Sequence, residues 1–276
     1  MEIPFSVRYN NTKLEVERLY KTSNQSKKRL FSGLEDISFS VRGGECIHLK
    51  SSVPWASQLL LNTLTGHTAI EAGAIWVHHQ NQWLNLPQLS SRQVSQIHAQ
   101  TIGYLGPSEN LRSQSTVLDC VLTKLIAFDV SRSQAAAQSR QILDWVGLPR
   151  CLWHKAPTHL SLPELHQVNL ARTFAADYSI IVIGLPISQL DPANQMRLLE
   201  LIEYRKAKNT CFIGRFDQDA LRVRVCDRSL SIHVPTPISA AARRQLTNIP
   251  TVISKGIPTA MATTGVAVSS TAARSY

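Results

Sequence analysis

The feature that most constrains this chain is a series of short, non-alternating strand-like runs, each separated from the next by a helical segment. YSIIVIG at 178–184 is apolar throughout, and GECIHL (44–49), TCFIG (210–214) and RSLSI (228–232) are similarly brief. A strand that does not alternate polar and apolar residues has both of its faces buried. That pattern predicts a parallel sheet covered by helices on both sides.

Around this core the chain changes character. Residues 12–21 (TKLEVERLYK) alternate like an edge strand, and LEDISFSV (34–41) alternates again up to Arg42. These predict an antiparallel N-terminal β part. Gly43–Leu49 reads as a turn and buried strand, 50–57 as a loop, and QLLLNTLTG as a helix stopped by Gly66, with GAIWVHH a further strand. TIGYL (101–105) is a short strand, broken by the Gly-Pro that follows. Helices are predicted through VLDCVLTKLIAF, capped by Thr116 or Ser115, and AAAQSRQILDWVGL, capped by Ser131 or Ser133. PELHQVNLARTFAAD has helical spacing, with Pro163 in the first turn, where proline is tolerated. ANQMRLLELIEYRKA and DALRVRV complete the helices. The strand-free stretch from about 109 to 176 reads as an inserted helical subdomain. The expected organisation is one α/β domain over 1–233 followed by a flexible basic tail over 234–276, rich in Pro, Ser, Thr and Ala.

Composition narrows the setting. The 276 residues are 43% hydrophobic, enough for a sizeable core. The five cysteines are scattered, with no C-x-x-C pair, which argues for a reducing compartment rather than a disulfide frame or structural zinc. No apolar run approaches a membrane span, and the polar N-terminus lacks a signal-peptide core, so a cytoplasmic location is expected. The formal net charge is +10. From Arg228 onward there are five basic residues and no acid. A basic surface can meet nucleic acid, anionic lipid or acidic protein, but no cluster here is dense or interleaved with aromatics.

A strand, a loop and a helix beginning at GECIHL stand where a phosphate-binding loop belongs. From there GECIHL, LWHKAP (152–157), VNLAR (168–172) and QLDPAN (189–194) follow in an order similar to the ABC-type ATPase family. Within that family the chain most resembles the L subunits of bacterial phosphonate carbon–phosphorus lyase systems. The resemblance runs from about residue 12 to 233 and implies a P-loop NTPase-like fold.

The resemblance is one of frame rather than chemistry. A phosphate loop, G-x-x-x-x-G-K-[ST], uses glycines to close backbone N–H groups on phosphates, lysine to neutralise them and a hydroxyl to hold magnesium. The corresponding stretch here is SSVPWASQ (51–58). Ser51 and Ala56 replace the glycines, Ser57 the lysine and Gln58 the hydroxyl residue. Pro54 removes a donor, and Trp55 adds bulk. The family's magnesium- and water-contacting glutamine falls at Pro107. Its S-G-G-E-Q signature becomes Ser161-Leu162-Pro163-Glu164-Leu165. The magnesium aspartate and catalytic glutamate become Gly184 and Leu185, and the switch histidine becomes Asp217. Asp191 in QLDPA is retained.

The resemblance therefore implies no bound cofactor and no catalytic residue, with a protein partner in a phosphonate-lyase type assembly or another ABC subunit. Residual binding of ATP and magnesium is the first alternative. Lys50, one residue before the loop, could then reach back to a phosphate, though an exposed lysine at a strand end is the plainer reading. A basic nucleic-acid-binding module, with Arg222 and Arg224 as part of a stripe, and a decaying gene are further readings. His78–His79, and Cys151, His154, His159 and His166, match no common zinc spacing. Asp191, before Pro192 and a helix, is expected to be an N-cap.

Overall fold

The computed structural model describes residues 11–22, 33–106 and 116–234. All lie within the first of two compact units, Met1–Pro237. Pro107, the Ser115 cap and the expected tail from 235 onward fall outside the described residues.

The strands are β1 (Thr12–Thr22), β2 (Gly33–Arg42), β3 (Cys46–Ser51), β4 (Ala72–His79), β5 (Gln82–Asn85), β6 (Ile102–Leu105), β7 (Ile180–Ile183), β8 (Cys211–Gly214) and β9 (Arg228–Ile232). The helices are α1 (Pro54–Leu64), α2 (Ser91–Gln100), α3 (Val117–Ile126), α4 (Arg132–Trp145), α5 (Leu162–Phe174), α6 (Pro192–Ala207) and α7 (Asp219–Val225). Five strands form a sheet in the order β6-β7-β8-β3-β9, and every pairing in it is parallel. The other four form an antiparallel sheet, β2-β1-β4-β5.

The apolar character of 178–184 has its cause in the layers. β7 buries all four of its residues. Ile180 and Val182 join a core with Leu60, Leu61 and Leu64 of α1, whereas Ile181 and Ile183 join Val168, Phe174, Leu198 and Leu199 of α5 and α6. Successive strand residues point to opposite faces, so both faces demand apolar side chains. The α1 core also takes in Leu14, Val16, Val41, Ile75 and Val77 of the antiparallel sheet. Helix α1 is thus packed between the two sheets.

Several local expectations need correction. β1 alternates in burial, as its sequence suggests, yet it is not an edge strand, because it pairs with β2 on one side and β4 on the other. Alternation reports one solvated face and says nothing of how many neighbours a strand has. The loop expected at 50–57 is largely absent: β3 continues to Ser51 and α1 starts at Pro54. Proline at the first helical position is pre-set for a helix and has no N–H to leave unpaired. Thr116 caps α3 by accepting the Asp119 N–H at 3.1 Å. Ser131 is the N-cap residue of α4, but its side chain makes no cap bond. Helix α2 and strand β5 lie outside the segments that the sequence pattern predicts. α2 begins on a capping box in which the Ser90 N–H donates to Gln93 Oε1 at 3.0 Å. No helix among the described residues is long and apolar enough to cross a membrane.

Candidate functional site

Of the nucleotide-site positions of the sequence reading, Ser51, Gly184 and Asp217 stand at or just after the C-terminal ends of β3, β7 and β8, whereas Ser161 and Asp191 stand at the N-termini of α5 and α6. Open parallel sheets place ligands at the C-terminal ends of their strands. Each position is described from the residue outward.

The connection between β3 and α1 consists of Ser52 and Val53 alone. Ser51, at the end of β3, accepts the Val53 N–H on its hydroxyl at 3.2 Å. The Ala56 N–H donates to the Val53 carbonyl at 3.1 Å. Two backbone donors of this stretch, at Val53 and Ala56, are thus spent within the turn itself. Ala56 is fully buried, and Ser57 is 1% exposed with its hydroxyl unpaired among the described residues. Gln58 donates from Nε2 to Asn62 Oδ1 at 2.9 Å and to the Tyr104 hydroxyl at 3.3 Å. Lys50 is exposed on β3, at a position paired with Ser231 of β9.

Tyr104 is the residue that sequence reasoning missed. A Cβ built on Gly184 would lie 2.7 Å from the Tyr104 hydroxyl oxygen and 2.9 Å from its ring. Glycine at 184 is what allows the tyrosine to lie there. Next to it, Leu185 is 3% exposed and belongs to the α5–α6 core. The backbone N–H groups of Gly184 and Leu185 both donate to the Leu105 carbonyl, at 2.8 and 3.0 Å.

The remaining polar positions are spent on local architecture. Ser161 is the N-cap of α5 in a capping box, donating from its backbone and its hydroxyl to Glu164 Oε2, both at 2.7 Å. The Ser161 hydroxyl and N–H hold the Glu164 carboxyl below its usual range. Asp191 caps α6, accepting the Asn194 N–H at 3.0 Å and its side-chain amide at 2.6 Å. Burial pulls the Asp191 carboxyl upward, but the Asn194 donors and nearby backbone N–H groups outweigh it and hold it low. Asp217 accepts the Ser188 hydroxyl, and its other oxygen accepts the Ser188 N–H at 3.3 Å. That pair ties the loop after β8 to the loop after β7.

Other candidates are also engaged. Arg224 makes a two-pronged contact to Glu203, at 2.7 and 2.9 Å, and Arg222 pairs with Asp219 at 2.9 Å. His166 Nδ1 lies 3.2 Å from the Gln189 carbonyl, and the His78 ring packs on Trp83. Among the described residues no group of three or more His, Cys, Asp or Glu side chains is placed to hold a metal ion.

Trp55 lies in the first turn of α1, half-buried against the core between the two sheets. We expect a blue-shifted emission component, partly protected from quencher, in the difference between wild type and Trp55→Phe. Millimolar Mg-ATP should leave that component unchanged. Red-shifted, freely quenched emission contradicts the packing, and saturable quenching by ATP contradicts a turn whose donors are spent within it.

No family model matches the chain. Among curated proteins, the lipoprotein-releasing system ATP-binding protein LolD of Chromohalobacter salexigens is 26% identical over 178 residues, 64% of this chain and 73% of its own. The methionine import ATP-binding protein MetN of Vibrio vulnificus is 26% identical over 212 residues, 76% of this chain and 59% of its own. Among solved structures, the dimeric ATP-binding cassette MJ0796 bound to ADP and Pi matches with a TM-score of 0.68 at 17% identity, covering 79% of this chain and 94% of that one. CbiO1 of Clostridium perfringens, part of the ABC transporter complex cbiONQ, matches with a TM-score of 0.60 at 16% identity, covering 86% and 93%.

Proposed function

We propose that this chain, an ABC ATPase-like protein by fold and by sequence similarity, is a non-hydrolysing scaffold or adaptor that works by binding another protein. The observation that carries the reading is Tyr104 packed over Gly184, where the family's magnesium aspartate would stand. The donor set does not fit magnesium and ATP. Ser57 and Leu185 offer a buried hydroxyl and an alkyl chain where the chemistry needs an ammonium and a carboxylate. The polar groups that remain, at 51, 58, 161, 191 and 217, already have partners within the chain.

The partner is proposed to be a subunit of a multi-component system. The relatives' names point to lipoprotein release and methionine import, whereas the ordered motifs at 152–157 and 168–172 favour a cytoplasmic phosphonate-lyase type assembly. Retention of the native protein's complex through purification, with its subunits identified by mass, distinguishes these. A second reading, residual nucleotide binding beside an active ABC subunit, draws on the similarity to proteins named for ATP binding. The nucleic-acid reading is disfavoured by the carboxylate partners of Arg222 and Arg224.

The expected result for purified protein is no magnesium-dependent phosphate release from ATP above background. Removing one positioned polar group at such a site typically costs roughly 3–4 kcal/mol of barrier, and several are replaced here. Turnover that is lost in Lys50→Ala would overturn the reading and make Lys50 a displaced phosphate ligand.

A further inference from the structure

At the outer edge of β6, the end strand of the parallel sheet, lies a cavity of about 150 Å³ lined by His67, His98, Tyr104, Lys124, Arg172 and Tyr178. None of residues 51–58 lines it, but Tyr104, whose hydroxyl accepts from Gln58, forms part of its wall. Among the described residues, two cations face it and no carboxylate does. Lys124 meets no acceptor among the described residues, and Arg172 donates only from Nη2 to the neutral Asn169 Oδ1, at 3.3 Å. Two half-buried like charges without a counter-charge are costly, since partial desolvation and mutual repulsion both oppose them.

The surrounding groups share the same deficit. Burial, and secondarily Arg172, pushes the Lys124 ammonium down to about 8. Burial also lowers Arg172 and raises the Tyr178 phenol to about 12, so that phenol stays protonated and able to donate. His67 and His98 stack at 5.2 Å, and burial lowers both imidazoles. The Thr65 carbonyl, which receives a bond from His98 Nε2, offsets this for His98, while His67 and Lys124 push it further down. Among the described residues, every charged or titratable group on the wall is a cation, a neutral imidazole or a protonated phenol at neutral pH.

We propose that this cavity is a binding site for a tetrahedral oxyanion of the phosphate and sulfate class, with Lys124 and Arg172 as its counter-cations. A bound dianion turns the repulsion between the two side chains into charge-assisted hydrogen bonds to a common acceptor. The volume fits such an ion with some of its water, taking a water's share of liquid volume as about 30 Å³. The site does not depend on whether the chain handles nucleotides.

The test uses sulfate, whose charge does not change between pH 6 and 9, on the full-length protein at low ionic strength. Calorimetric titration should show saturable one-to-one binding at pH 7, with inorganic phosphate competing for the same site. Lys124→Gln should weaken it by about tenfold, as loss of one charge-assisted bond implies. Its melting temperature without sulfate should stay within a few degrees of wild type, because Lys124 is half-buried and makes no bond among the described residues that the variant loses. Lys124 is the group that titrates in the window. Wild-type affinity should therefore fall between pH 7 and 9 as its proton leaves, and the Lys124→Gln affinity should stay flat. No saturation in the wild type, equal affinity in Lys124→Gln, or a pH-independent wild type would each overturn the proposal. Arg172→Gln provides a second variant that must also bind more weakly.

Discussion

Rebuilding the phosphate loop with Ala56→Gly, Ser57→Lys and Gln58→Ser is expected to destabilise the protein by about 3–5 kcal/mol and to yield no Mg-ATP hydrolysis. The largest part comes from position 57. Its serine is 1% exposed and sits on the α1 surface that packs between the sheets, with a hydroxyl that already lacks a partner. A lysine there must bury an ammonium without a carboxylate, or distort the first turn of the helix to reach water. Gln58→Ser removes the bonds to Asn62 and Tyr104, together worth about 1 kcal/mol. Ala56→Gly adds a further cost of about 0.5–1 kcal/mol through lost helix propensity. In a domain of this size a loss of that order lowers the melting temperature by roughly 10 °C. Hydrolysis remains absent because Leu185 and the capping box at Ser161 are untouched. A triple variant that melts with the wild type and releases phosphate would show an open, functional loop and refute the packed α1 terminus.

What could be read from the sequence follows the range of the interactions concerned. β7 was legible because a strand buried on both faces needs only local composition to announce itself. The caps at Thr116 and Asp191 were legible because a cap and its helix are adjacent in sequence. α1 starts upstream of where QLLLNTLTG predicts, because Pro54 pre-sets its first turn while Val53 at the cap position offers no side-chain cap to signal it. β1 was misjudged as an edge because its second neighbour, β4, lies some fifty residues on, beyond a helix. The contacts that shape the candidate site are longer still. Tyr104 and Gly184, and likewise Ser188 and Asp217, meet only because parallel strands bring the ends of β6, β7 and β8 together. A glycine in sequence shows that a side chain is missing, but not which neighbour has taken its space.

That last contact has a measurable consequence: Gly184→Asp is expected to cost about 2–3 kcal/mol, and most of that cost should vanish when Tyr104 is shortened. The new Cβ would meet the Tyr104 hydroxyl oxygen at 2.7 Å, Cε2 at 2.9 Å and Cζ at 3.1 Å, so the ring must move. Its escape is limited, because Gln58 donates to its hydroxyl and the His67 ring lies 5.5 Å away. Tyr104→Ala alone should also destabilise, by about 2–4 kcal/mol, through lost packing and a cavity. If the two residues exclude one another, the double variant costs less than the sum of the single ones by at least about 1 kcal/mol, well beyond the ~0.5 kcal/mol scatter of independent sites. Denaturant unfolding of all four proteins gives the cycle directly. The double variant also places a carboxylate beside an emptied site, which makes it the fairest trial of magnesium binding that one position can offer. It should still fail to hydrolyse ATP, since Ser57 and Leu185 supply neither the cation nor the second acid. Strictly additive costs would mean that the tyrosine does not pack over position 184 in solution, and would remove the contact that carries the non-hydrolysing reading.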